Sequence, residues 1–139
     1  MPSIPGTRRL ARALGASLLA SFSGSAAADW TPVGRGNDIY AAFADKATIH
    51  VRGNIVSMSG MYDFRKQDFT PEGKGLYSTV VLREYDCEGR QVRLLSAIDF
   101  SGHRGTGSAV STSADPRRWE PVVAGGIDEA YWRIACARK

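Results

Sequence analysis

The segment LYSTVVLREYDCEGRQVRLLSAIDFS, Leu76 to Ser101, constrains the fold more than any other stretch of the 139 residues. Two β-rich runs flank Glu88-Gly89, a pair suited to a tight turn, so the segment predicts an antiparallel hairpin. In that register Tyr85 faces Val92, Glu84 meets Arg93 as an opposite-charge pair, Leu82 faces Leu95 and Val80 faces Ala97. Apolar residues on both faces mark these as central strands, covered on both sides for part of their length. One of the chain's two cysteines, Cys87, then stands at the hairpin tip, where it could serve as a reactive thiol, a metal ligand or a staple.

The compartment decides among those roles. The chain opens with Arg8, Arg9 and Arg12, continues through the apolar run Ala13 to Phe22, and reaches small residues at Ala26 and Ala28. This is the pattern of a secretory signal peptide, predicted over residues 1–28, with a mature domain over residues 29–139. The run of about ten apolar residues falls well short of the roughly 20 that span a bilayer, so no membrane span is expected. No cysteine lies near the expected cleavage site, so no lipid anchor is expected either. In an oxidising compartment the pair Cys87 and Cys136 reads as a disulfide. Closing a loop of 49 residues contributes up to about 4 kcal/mol by chain entropy.

Removing the leader also changes the meaning of the charge. The formal net charge is +4, but the leader carries three basic residues and no acidic one, which leaves +1 for residues 29–139. From Arg83 onward basic and acidic residues are closely interspersed, the pattern of a mixed solvated surface, and no basic patch indicates nucleic-acid binding.

The remaining elements follow from turn residues and periodicity. A turn at Gly53-Asn54 would place Val51 against Val56, Ile49 against Met58, His50 against Ser57 and Thr48 against Ser59, with one apolar and one polar face. The polar stretch Asp63 to Gly75, with Pro71 and two glycines, reads as a loop of about a dozen residues and a candidate binding loop. The glycine-rich stretch Gly102 to Ser108 precedes a β-type run, so it lacks the helix that phosphate-binding loops require and reads as a turn between strands. WEPVV, Trp119 to Val123, reads as a last short strand. Ile127, Ala130, Tyr131, Ile134 and Ala135 fall on one face of a C-terminal helix, with Asp128 and Glu129 near its start and Arg138 and Lys139 at its end. The predicted fold is α+β: a mainly antiparallel sheet of about six strands, with one C-terminal helix packed on a face and tied to the hairpin by the disulfide.

No set of side chains meets the demands of an active site. Asp99, Ser101 and His103 are too close in sequence to converge and carry no nucleophile elbow. His50 and His103 are the only imidazoles, and His50 is expected on a polar, solvated face. Glu84 already faces Arg93, Glu88 sits in the turn, and Asp128 and Glu129 suit a helix start. No catalytic residue, metal or cofactor is therefore assigned. Trp30, Trp119 and Trp132 read as core or sheet-covering residues, any of which could anchor a protein partner if exposed.

The stretches REYDCEGRQVRLLS, FSGHRGTGSAVS and WEPVVAGGIDEAYWRIAC, lying within Tyr77–Ser96, Phe100–Ser111 and Trp119–Cys136, resemble the surface-adhesin protein E family of Gram-negative bacteria. Agreement is weaker over Trp30 to Asp63. The resemblance implies the same sheet and helix joined by Cys87 and Cys136, and a non-enzymatic surface protein; the family's founding member resembles a lipid-anchored adhesin that binds host proteins such as vitronectin, laminin and plasminogen. The lipid-attachment cysteine of the founding member has no counterpart here. The expected function is an exported, adhesin-like, non-catalytic binding protein of the envelope, periplasmic or at the cell surface, with extracellular-matrix or envelope proteins as partners. The alternative is a periplasmic carrier of a small ligand or haem.

Overall fold

The computed structural model describes residues 28–137. The leader expected at residues 1–28 lies, but for Ala28, outside the described residues, as do Arg138 and Lys139. The elements run β1 (Trp30–Pro32), β2 (Tyr40–Arg52), β3 (Ile55–Phe69), β4 (Gly75–Asp86), β5 (Gln91–Phe100), β6 (Ala109–Ser113), β7 (Glu120–Pro121) and α1 (Ile127–Ala135). All strand pairs are antiparallel, in the order β1-β2-β3-β4-β5-β6, and β7 also pairs with β5. The predicted antiparallel sheet with one C-terminal helix is present. It has a seventh strand, and the helix is short beside it.

The first hairpin turns at Gly53-Asn54 as expected, with Val51 against Val56 and His50 against Ser57. Beyond that the predicted register fails, because Ser59 pairs with Asp45 rather than Thr48 and a bulge occupies Lys46 to Ile49. The bulge is held by local polar groups: Asp45 Oδ1 accepts from Ala47 N (3.0 Å), and Thr48 Oγ1 donates to Asp45 O (2.6 Å) and accepts from Ser59 N (2.9 Å). Asp and Thr side chains bond nearby backbone readily, which is how they divert a strand from its ladder.

The second hairpin pairs Tyr85 with Val92 and Glu84 with Arg93, as predicted. Its turn takes four residues, Cys87 to Arg90, with Asp86 Oδ1 accepting from Glu88 N and Gly89 N and with Arg90 in the left-handed region (φ 53°). Further along, Leu82 pairs with Ser96 and Val80 with Ile98, because a bulge at Leu95 shifts the register by one residue. Cys87 and Cys136 form the disulfide, with Cα atoms 5.5 Å apart, and this joins the hairpin tip to the end of α1.

The stretch Asp63 to Gly75 is not a long loop. β3 continues to Phe69 and β4 starts at Gly75, so only Thr70 to Lys74 connect them. The turn is closed by Thr70 N to Lys74 O (2.8 Å), Gly73 N to Thr70 O (2.8 Å) and Lys74 N to Thr70 Oγ1 (3.1 Å). The segment is polar because residues 65–69 form an exposed strand end, and composition alone cannot separate a solvated strand from a loop.

Residues alternate between two covered faces. On one, Ala42, Ala44, Val56, Met58 and Tyr85 meet Tyr131 and Ala135 of α1, all buried. The helix approaches closely because β3 carries Gly60 at the contact: a Cβ there would lie 2.9 Å from Tyr131 Cε1. Tyr131 is 0% exposed, and its hydroxyl donates to Phe43 O at 2.8 Å. On the other face, the Gly102–Ser108 loop does more than turn the chain. It folds over the sheet through a 3₁₀ turn at His103–Gly105, placing Arg104 over the Phe43 ring (4.4 Å) and Gly105 beside Val80 and Met61. Buried Ser78 anchors it, donating to Gly102 O (2.7 Å) and accepting from Gly105 N (2.8 Å).

Candidate functional site

The polar residues considered as an active site are each engaged with a different partner. Asp99 Oδ1 accepts from Thr79 Oγ1 (2.6 Å), Ser101 Oγ accepts from Ser108 N (2.9 Å), and His103 Nδ1 lies 3.0 Å from Asp63 Oδ1. Asp63 Oδ1 also accepts from Arg104 N (2.9 Å), so the His103–Asp63 contact fastens the loop to β3. His50 stands exposed opposite Ser57, and among the described residues no group of three or more His, Cys, Asp or Glu could hold a metal. Glu84 is buried and paired with both Arg93 (2.8 Å) and Arg52 (3.3 Å), and Glu88 accepts from Asn54 Nδ2 (3.3 Å). Glu129 accepts from Gly125 N (3.0 Å) and Arg90 (2.7 Å); these bonds, the backbone one foremost, hold its carboxyl below the usual range.

The three tryptophans are half-buried. Trp132 Nε1 donates to Asp86 O (3.0 Å) with Arg90 over its ring (4.5 Å), which ties α1 to the hairpin tip a second time. Trp119 lies under Arg93 (4.9 Å), and Trp30 sits in β1 opposite Asp45. Large apolar side chains reach solvent elsewhere, at Ile39, Val51, Phe69 and Val123.

Arg83 is the residue the charge pattern did not distinguish. The interspersed charges around it predict a solvated surface, yet it lies on the helix-covered face of β4, beside the rings of Tyr62 (5.4 Å) and Tyr131 (5.7 Å). It donates to Tyr62 Oη at 2.8 Å, and no carboxylate lies within ion-pair distance among the described residues. Burial raises the Tyr62, Tyr85 and Tyr131 hydroxyl pKa values, with Arg83 opposing the rise. A cleft of about 460 Å³ opens beside it, with Leu94, Arg117, Arg118, Glu120 and Asp128 in its walls.

The cleft arises from an interruption at the sheet edge. β6 pairs with the end of β5 (Ala97 with Ser113) and β7 with its start (Val92 with Glu120), so the two follow one edge. Between them the chain carries Pro116, which cannot donate to a ladder, and the bond from Arg117 N to Leu94 O (2.8 Å) bridges the gap. The dipeptide Arg117-Arg118 is visible in the sequence; its proximity to Arg83 follows from Leu94, which pairs with Arg83 across β4 and β5 and accepts from Arg117 N at the edge.

The profile of the surface-adhesin protein E family matches residues 30–137. The chain belongs to the surface-adhesin protein E family. Among solved structures, Haemophilus influenzae protein E in its second crystal form superposes with a TM-score of 0.63 at 15% identity, covering 88% of this chain and 97% of that one. Another Haemophilus influenzae protein E structure gives 0.61 at 15% identity, over 86% and 91%. Protein E from non-typeable Haemophilus influenzae gives 0.57 at 14%, over 86% and 82%. At such identities the likeness is one of fold. No curated protein matches by sequence. Among the described residues no helix is long and apolar enough to cross a membrane.

Proposed function

We propose that this surface-adhesin protein E family member is an exported, non-catalytic protein-binding module of the bacterial envelope, acting in the periplasm or at the cell surface on extracellular-matrix or other envelope proteins. The observation that carries this reading is the family match across residues 30–137. Two features support it. The Cys87–Cys136 bridge suits an oxidising compartment, and Asp99, Ser101 and His103 are spent on structural contacts rather than on one another.

The test is a pull-down with the oxidised protein against extracellular-matrix and periplasmic proteins, with a thermal-shift screen of small molecules and haem alongside. The expected result is retention of at least one defined protein and no rise in melting temperature with the small compounds. Absence of any protein partner, with a clear rise for a small ligand or haem, would replace the binding module with a carrier.

A further inference from the structure

The cleft beside Arg83 has the composition of a carboxylate site. Its cations Arg83, Arg117 and Arg118 make no ion pair among the described residues, and its carboxylates Glu120 and Asp128 make none either. Three cations against two carboxylates leave one positive charge. The fourth arginine in the wall, Arg93, is in an ion pair with Glu84, which it shares with Arg52. That balance favours carboxylates whose single charges are divided between Arg83 and the rim, and opposes a compact dianion such as phosphate, which Glu120 and Asp128 would repel.

Geometry selects within the anions. A guanidinium is planar and offers paired N–H donors that fit the two oxygens of a carboxylate. Arg83 is held among aromatic rings, and the phenols of Tyr62 and Tyr85 cannot take up all its donors. Arg83 is half-buried with the charge of Asp128 acting on it, yet no carboxylate touches it, and a ligand carboxylate would supply that direct pair. Leu94, Val92 and Pro116 give the methylenes of an acidic side chain an apolar wall. Arg117 and Arg118 are exposed at the rim, where a neighbouring acidic residue would reach them.

We propose that the cleft between β5, the β6–β7 edge and the start of α1 is a recognition site for an acidic side chain of a protein partner, with Arg83 taking the carboxylate and Arg117 and Arg118 a flanking acid. This rests on the protein-binding reading above and names the chemistry of the partner.

The test is an NMR titration of the oxidised chain with a capped peptide carrying two adjacent glutamates, and with succinate, inorganic phosphate and a lysine peptide of equal length as comparators. The glutamate peptide should shift the Arg83 Nε–Hε resonance, bind more tightly than the three comparators and weaken with added salt. Arg117→Gln with Arg118→Gln, on an exposed segment that leaves the core intact, should weaken the peptide about tenfold. Arg83→Gln should abolish the effect if the variant keeps its native spectrum. No shift at Arg83, binding unchanged in the rim variant, or tighter binding of succinate or phosphate than of the peptide would overturn the proposal. Peptide binding here with an empty pull-down would leave the site standing and remove the protein-binding reading. A successful pull-down unaffected by the rim variant would do the reverse.

Discussion

Tyr131 shows how much one side chain can carry here. Its ring fills the space above Gly60, and its hydroxyl satisfies Phe43 O inside the core. Burial raises its pKa above the ordinary value of 10, as it does for Tyr62 and Tyr85. A group whose folded pKa is raised contributes stability that is complete below the unfolded value and is lost as pH climbs toward the folded one. Stability should therefore hold up to about pH 10 and fall steeply above it. Tyr131→Phe should cost about 1 kcal/mol at neutral pH through the lost hydrogen bond. It should also make the alkaline decline shallower; urea unfolding from pH 8 to 11 measures both, and an unchanged alkaline slope would contradict the assignment. The helical spacing of Tyr131 was legible in the sequence. The setting of Arg83 was not, because an arginine within VVLREY reads as the polar side of a strand until a helix is laid over it.

At the scale of elements, the turns were the legible part. Gly53-Asn54 and the Glu88-Gly89 region lie where the chain reverses, and the pairs nearest each turn keep the register read from period-two alternation. Registers drift where bulges intervene, at Lys46–Ile49 and at Leu95, since a bulge is set by local hydrogen bonds that alternation does not encode. Asp63 to Gly75 departs from the loop its composition predicts for a related reason: an exposed strand end and a loop share the same polar composition. The helix is joined to the sheet by the disulfide and by Trp132 Nε1 to Asp86 O, both at the same hairpin tip. Replacing Cys87 and Cys136 by serine should lower stability by up to about 4 kcal/mol. Amide exchange should then accelerate in α1 before the β3–β4 core, because the tip contacts are what hold the helix end. Equal acceleration throughout the sheet would show that the bridge acts only through the unfolded chain.

For the whole molecule, the sheet is a frame covered on one side by α1 and on the other by the Gly102–Ser108 loop, and its polar residues are largely occupied in maintaining it. The proposed binding then falls to surfaces the frame leaves open, among them the arginine-lined cleft at the β6–β7 edge. Binding to extracellular-matrix or envelope proteins, as proposed, requires the protein to leave the cytoplasm, so fractionation of cells, with non-reducing mass spectrometry of the recovered protein, tests the proposal most directly. The predicted result is a chain of residues 29–139 with Cys87 and Cys136 joined, recovered from the periplasm or the cell surface. An uncleaved chain in the cytoplasm with two free thiols would contradict it.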